Sequence, residues 1–209
     1  DFINFFEVKD TNNLHIIHNG IDSNQFYYKE NIRSGDKVKF LLVGTFKAQK
    51  GYDIFFSSFK YLPSHITENS QFRICGNGDL LKNFKQYALS LKNADINFEG
   101  MVDPKKFYPK ADIFLSCSRF EGFSNALIEA LSFGTPCIVS DCPSANREVI
   151  NNSNGIFFEN ENPSALAEKI CYMYENFKGF NRQKISSDTI ETFNIKKISN
   201  QYLDLSRNF

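Results

Sequence analysis

The sequence predicts an α/β domain, a doubly wound and mostly parallel sheet of six strands with helices on both faces. Two observations predict it. Short apolar runs rich in Ile, Val and Phe alternate with longer segments of helical period, and regular strand–helix–strand succession makes right-handed βαβ units around a parallel sheet. No Pro- or Gly-rich stretch divides residues 36–176, so one domain accounts for that whole length.

The elements follow in order. Residues 37–43 (KVKFLLV) form a buried strand that Gly44 ends. Residues 50–62 place Tyr52, Phe55, Phe56 and Phe59 at the i, i+3, i+4, i+7 spacing of one helix face, and Pro63 stops that helix. A second strand at 71–75 runs into Gly76-Asn77-Gly78, and a helix is expected over 79–91. A third strand at 95–98 precedes a helical turn near 104–108, and a fourth occupies 112–115. Residues 124–133 form a strongly apolar helix closed by Gly134, followed by strands at 136–140 and 155–158. Helices over about 164–176 and 195–205 end the chain. The first 35 residues read as the remnant of a preceding domain and a linker, because residues 1–10 (DFINFFEVKD) look like a helix belonging to something larger.

Composition narrows the function classes. The 24 Lys and Arg balance 24 Asp and Glu, which removes the general electrostatic attraction that drives nucleic-acid binding. A hydrophobic share of 42% with 23% charged residues is that of a globular protein rather than a disordered one. Five cysteines form no C-x-x-C pair and lie in apolar runs, which predicts reduced, buried thiols and a cytoplasmic setting. No window approaches a membrane span and no signal peptide opens the chain. Of the 23 Phe, those in residues 1–7 and near Phe193 are expected to form a surface that another domain covers.

The richest segment is residues 118–141 (SRFEGFSNALIEALSFGTPCIVSD). Its helix is apolar nearly all round, yet Glu129 interrupts it, and no cation stands three or four residues away. A carboxylate buried there needs a partner or a shifted pKa. A ligand diol could supply two donors; a distant Lys or Arg, or a water-facing helix edge, is the alternative. The amides of Phe123, Ser124 and Asn125 are expected in the first turn, where they lack intrahelical acceptors and favour an anion. Capping by Ser124 explains the same residue without a ligand.

These residues resemble the retaining GT-B glycosyltransferases of the family 4 or group 1 type. Glu121-Gly122-Phe123-Ser124-Asn125-Ala126-Leu127-Ile128-Glu129 matches the family's E-x7-E signature. His18-Asn19-Gly20-Ile21-Asp22 resembles its P-N-G-V-D interdomain linker, with His in place of Pro. Leu42-Val43-Gly44-Thr45-Phe46 followed by Gln49-Lys50-Gly51 resembles V-G-R-L…K-G, and Cys75-Gly76-Asn77-Gly78 the G-x-G loop. Phe98-Glu99-Gly100-Met101-Val102 and the Ser140–Ser144 and Arg147–Ile150 stretches complete an ordered series over nearly the whole chain.

The resemblance implies the C-terminal, Rossmann-like half of a GT-B fold, with residues 36–209 as a nucleotide-sugar-binding domain. It implies that Glu129 takes ribose hydroxyls and that Glu121 lies by the donor sugar. Gly122 and the Phe123–Asn125 amides would surround sugar and diphosphate, and Lys50 would bind phosphate. Met101 and Val102 would lie where the base is held, largely by backbone, and Gly44, Thr45, Gly76 and Gly78 would line the cleft. Lys50 and Glu121 are therefore the candidate catalytic residues. No D-x-D occurs, so no metal or other cofactor is expected, and the nucleotide diphospho-sugar is a substrate. The acceptor, a glycan or lipid-linked glycan, would be bound by a missing N-terminal domain, with peripheral membrane contact confined to a full-length protein.

One position departs from the pattern. Where the family often has a phosphate-binding Arg, this chain has Thr45; Lys47 could reach in, but it reads more simply as a solvated loop residue. That departure leaves open a catalytically inactive nucleotide-sugar-binding or scaffold module. A dinucleotide fingerprint at Gly76-Asn77-Gly78 fails because Leu81 stands where the third glycine must be. Lys105, Lys106, Lys196 and Lys197 read as solvated faces rather than a nucleic-acid stripe.

Overall fold

The computed structural model describes residues 14–28, 35–91 and 93–207. The Phe-rich stretch of residues 1–7 lies outside them.

Among the described residues, six strands form one sheet: β1 (Val38–Val43), β2 (Ser70–Cys75), β3 (Asp95–Gly100), β4 (Ile113–Ser116), β5 (Cys137–Asp141) and β6 (Gly155–Glu159). Every pairing is parallel and the order is β3-β2-β1-β4-β5-β6. The winding therefore reverses between β1 and β4, whose loops leave the sheet side by side. A crevice at such a reversal is where doubly wound sheets bind ligands.

The period-two alternation of each strand divides its side chains between two cores. Val38, Phe40 and Leu42 of β1 join Phe72 and Ile74 of β2, Ile113 and Leu115 of β4 and Ile138 of β5 on one face. That face is covered by α1 (Tyr52–Ser58), α2 (Ser64–Glu68), α3 (Leu81–Ser90) and, after α4 (Asn125–Ser132) and α5 (Asn146–Val149) have passed to the other side, by α6 (Pro163–Asn176). Leu41, Phe114, Cys137 and Val139 point the opposite way, onto Leu127, Ile128, Ala130 and Leu131 of α4. Ile185 and Phe193 of α7 (Arg182–Phe193) close that second core, and α8 (Ile195–Arg207) follows.

Several expectations are corrected. The helix expected over 50–62 is shorter: a 3-10 turn holds Ala48–Lys50, and Gly51, in the left-handed region at φ 62°, separates it from α1. The helix expected from 79 begins at Leu81. α7 carried no clear apolar stripe because Ser186 and Thr189 occupy buried positions on it, bonding Ser132 O at 2.5 Å and Ile185 O at 2.7 Å. Phe193 is buried at 6% exposure, so it belongs to the core and not to a docking surface. The Phe surplus has the same destination: Phe120 is the one exposed Phe among the described residues. Rings of Phe46 and Tyr52 stack at 4.3 Å, Phe40 and Phe72 at 4.9 Å, and Phe56 and Phe84 at 5.1 Å.

Before β1, the stretch around Ile21 and Phe26 packs on the domain. Ile21 and Phe26 are buried in the second core, and Ile21 bridges α7 to α8, its N–H donating to Phe193 O at 2.7 Å while its carbonyl accepts from Ile195 N at 2.9 Å. Cys75, Cys117, Cys137 and Cys142 are buried free thiols and Cys171 is half-buried. Among the described residues no helix is long and apolar enough to cross a membrane.

Phe56→Ala is expected to lower stability by about 3–5 kcal/mol, because the site cannot collapse around several rings at once. Phe120→Ala is expected to change it by less than about 0.5 kcal/mol. Urea unfolding of the two variants against the parent checks both.

Candidate active site

The predicted site residues lie in the loops that follow the strands at their carboxyl ends. After β1 come Gly44, Thr45 and Lys50; after β2, Gly76 and Gly78; after β3, Met101 and Val102; after β4, Glu121 to Asn125. Sheet topology alone places these four loops along one edge.

Backbone contacts draw the first three loops close. Gly44 N–H donates to Cys75 O at 3.0 Å, and Gly76 N–H to Gly100 O at 2.8 Å. Phe46 N–H donates to Asn77 O at 3.0 Å, and Leu80 N–H to Phe46 O at 3.2 Å. Gly76 sits at φ 154°, and a Cβ on it would lie 1.9 Å from Gly44 O, so only glycine lets the ends of β1 and β2 approach this closely. The buried Tyr52 hydroxyl also donates to Gly44 O, at 3.0 Å; burial pushes its ionisation well up, so it remains a donor. Met101 and Val102 project outward, 84% and 39% exposed. Thr45 and Lys47 are both exposed, and Lys47 N–H donates to Thr45 O at 2.8 Å.

Lys50 and Glu121 meet at the reversal of the winding. The Lys50 ammonium pairs with Glu121 Oε1, which also accepts from Ser118 Oγ at 2.7 Å. Glu121 is the more enclosed partner, its side chain 9% exposed against 23% for Lys50. The aliphatic stem of Lys50 lies across Gly44, with Cδ 3.3 Å from where a Cβ would be.

Arg119 holds the two loops in register. Its guanidinium donates twice to Asp53, at 2.9 and 2.6 Å, to Glu161 at 2.7 Å and to Ala48 O at 2.6 Å. Its N–H donates to Gln49 O at 2.8 Å, and Gln49 Nε2 donates back to Phe120 O at 3.1 Å. From the other side, Glu121 N–H donates to Pro143 O at 3.1 Å, and Ala145 N–H to Gly122 O at 3.0 Å. The hydrogen bonds from Arg119 also keep the Asp53 carboxyl below the usual aspartate range.

Helix α4 starts one residue later than expected. Ser124 is its N-cap and makes no side-chain cap bond, so the Phe123 amide precedes the helix and the free amides of the first turn belong to Asn125 and Ala126. The exposed Gly122 leaves the approach open, with nothing within 4 Å of where its Cβ would be. Phe123 stacks on His18 at 4.8 Å and meets Phe193 at 5.6 Å; His18 Nε2 lies 2.9 Å from Glu148 Oε2. Asn19 Nδ2 donates to Asn125 Oδ1 at 2.8 Å, so the His18–Asn19 segment leans on the start of α4.

Glu129, one turn further along, has a partner that neither sequence alternative included. It is half-buried, and the fully buried Tyr108 donates its hydroxyl to Glu129 Oε2 at 2.8 Å. Burial raises the Glu129 pKa, partly opposed by that hydrogen bond. The structure thus joins Lys50 to Glu121 and draws the glycine loops beside them, while Glu129 is held separately by Tyr108. Sequence reasoning missed Tyr108, Arg119 and Tyr52. Arg119 stood two residues before Glu121, but its acidic partners are 66 and 42 positions away. Tyr108 precedes Glu129 by 21 residues, a spacing no helical or strand period connects.

The family model described as "Glycosyl transferases group 1" matches residues 24–188. The chain belongs to the group 1 glycosyl transferases. A related enzyme of this kind from Escherichia coli, a UDP-Gal:alpha-D-GlcNAc-diphosphoundecaprenol alpha-1,3-galactosyltransferase, is 27% identical over 92% of the chain and 54% of its own length. An N-acetylgalactosaminyltransferase of Campylobacter jejuni acting on a diNAcBac-PP-undecaprenol-linked glycan is 27% identical over 79% of the chain and 46% of its own length. This group 1 glycosyl transferase chain therefore spans about half the length of these relatives. Anabaena HepE, solved with UDP, superposes with a TM-score of 0.82 at 16% identity over 93% of the chain and 57% of its own. The lipopolysaccharide galactosyltransferase WaaB superposes with a TM-score of 0.76 at 21% identity over 98% of the chain and 58% of its own. The fold is the Rossmann-like fold of the GT-B glycosyltransferases.

Arg119→Ala is expected to lower stability at pH 7 by about 1–2 kcal/mol, the discount reflecting the half-exposed Asp53 and Glu161 carboxylates. Because the folded pKa of Asp53 is depressed, its contribution is present above the unfolded value of 3.8 and fades as pH falls below that towards the lowered one. The gap between parent and variant should therefore narrow at acid pH in urea titrations. Arg119→Lys should recover only part of it, since an ammonium cannot make the bidentate pair.

Proposed function

We propose that the chain is the donor-binding part of a retaining glycosyltransferase. It takes a hexose from a UDP- or GDP-linked donor and transfers it, with retention of configuration, to a glycan or lipid-linked acceptor in surface polysaccharide synthesis. The acceptor is bound by polypeptide beyond this chain, and the work is done at the cytoplasmic side, with peripheral membrane contact made by the full-length protein. One observation carries the reading: a lysine–glutamate pair at the winding reversal, beside close-packed glycine loops and the open start of α4, with a half-buried carboxylate one turn along.

The chemistry asks for these groups. When a nucleoside diphosphate leaves, negative charge builds on phosphate oxygens, and fixed cations and amide dipoles stabilise it. Lys50 supplies the cation without a metal, and the Asn125 and Ala126 amides supply dipoles. Glu121 holds the Lys50 ammonium until phosphate oxygens compete for it, and then stands beside the sugar hydroxyls. Glu129 receives the ribose diol. The UDP in the HepE crystals and the UDP-galactose in the name of the E. coli relative support a nucleotide diphospho-sugar donor. The undecaprenol diphosphate in the names of both relatives supports a lipid-linked acceptor. The exposed, neutral Thr45 favours a second reading, a module that binds the nucleotide sugar without turnover.

Calorimetric titration with UDP, GDP and ADP tests the donor site. One of them should bind with Kd below millimolar, and Glu129→Ala should weaken it by about 10–100-fold. Lys50→Met should weaken it comparably and reduce its salt dependence. Binding by none, with both variants indistinguishable from the parent, defeats the reading.

A further inference from the structure

The 2.8 Å hydrogen bond from Tyr108 to Glu129 is built with more constraint than satisfying one hydroxyl requires. The Tyr108 ring is wholly buried, lies nearly parallel to Phe133 at 5.8 Å and meets Phe114 at 6.2 Å. Thr135 Oγ1 donates to its carbonyl at 3.3 Å, which ties the 3-10 turn of Tyr108–Lys110 to the loop after α4. The hydroxyl therefore comes from a fixed place. It takes one acceptor position on Oε2, and among the described residues no hydrogen bond reaches Oε1. A carboxylate offers about four acceptor positions, so fixing its plane through one leaves a set suited to two neighbouring hydroxyls.

We infer that Tyr108 is the positioning residue for ribose recognition: its hydroxyl sets the plane of the Glu129 carboxylate so that Oε1 and the free side of Oε2 face a vicinal diol. The inference rests on the reading of Glu129 as the ribose acceptor. Its chemical consequence is selectivity for ribonucleotides over nucleotides lacking the 2′ and 3′ hydroxyls, in an amount that depends on a residue touching no ligand.

The charged and titratable groups that face Glu129 are Tyr108, Lys105 and Asp103, and those that face Tyr108 besides Glu129 are Cys75 and Cys137. Burial and the neighbouring carboxylate push the Tyr108 ionisation far up, so the phenol donates throughout the accessible range. Burial raises Glu129 above its ordinary 4.5, and the Tyr108 hydrogen bond opposes that rise by favouring the ionised form. Diol binding to the carboxylate should thus fade as pH falls through the raised value, and removing the hydroxyl should move that loss to higher pH.

The experiment titrates UDP and 2′,3′-dideoxy-UDP into the unaltered chain, Tyr108→Phe and Glu129→Gln at a series of pH values. The unaltered chain should prefer UDP, and that preference should have an acid limb beyond the phosphate titration that the two nucleotides share. Tyr108→Phe should lose about tenfold in UDP affinity and nothing in dideoxy-UDP affinity, with its acid limb moved to higher pH. Glu129→Gln should abolish both the preference and the limb. A Tyr108→Phe variant that keeps the preference and the limb, while Glu129→Gln loses them, overturns the role of Tyr108 and leaves the ribose site standing. An unaltered chain with no preference overturns both. A measurement without substitution guards against a variant that fails to fold: the hydroxyl proton of Tyr108, observed by NMR, should shift with UDP and stay in place with dideoxy-UDP. Equal shifts with the two nucleotides also overturn the inference.

Discussion

Lys50 and Glu121 come from loops 71 residues apart in sequence, yet their side chains pair because β1 and β4 are neighbours where the sheet reverses its winding. The pairing needs both loops at fixed heights above the sheet, and a set of polar contacts at the carboxyl edge serves that end. Arg119 bonds the backbone of the Lys50 turn and the first turn of α1 from the Glu121 side. Pro143 and Ala145 fix the far side of the same loop through backbone bonds. Were the pair broken from the lysine side, the enclosed Glu121 carboxylate would keep, among the described residues, the Ser118 hydroxyl as its side-chain hydrogen-bond partner. An uncompensated charge of that kind is what makes such pairs costly to break.

Packing supplies the rigidity that the polar edge requires. The strands send alternate side chains into two cores, and the core beneath the glycine loops is largely aromatic. Phe46 links the two levels: its ring is buried against Tyr52 while its backbone bonds Asn77 and Leu80. A shift of the β2 loop would thus have to disturb the core. Loops with less backing stand open, as Met101 and Val102 do beyond β3. Fixed groups beside the proposed phosphate position and freer ones at the edge suit a site whose electrostatics must be preorganised.

Most of the fold was legible in the sequence because its inner strands, β4 and β5 above all, are near-continuous apolar runs, and such runs cannot be satisfied outside a two-sided sheet. All six strands lie where the pattern places them, to within two residues. α7 was not legible, since small hydroxyl side chains fill its buried face and bond backbone carbonyls there, which a hydrophobic pattern does not register. At the site, the E-x7-E spacing marked Glu121 and Glu129, and the glycines marked the close approaches. The partners of those residues were hidden because contacts such as Tyr108 with Glu129 and Arg119 with Asp53 are set by sheet order, not by local period. Phe193 was misjudged for a related reason: its neighbours His18 and Phe123 lie 175 and 70 positions away.

The central claim is that the paired lysine at the winding reversal receives the diphosphate. A crystal structure of the chain with UDP tests it most directly. The account predicts a phosphate oxygen within hydrogen-bonding distance of Lys50 Nζ, with the ribose hydroxyls on Glu129. UDP bound elsewhere on the chain, or at this edge with Lys50 out of reach of either phosphate, would contradict it.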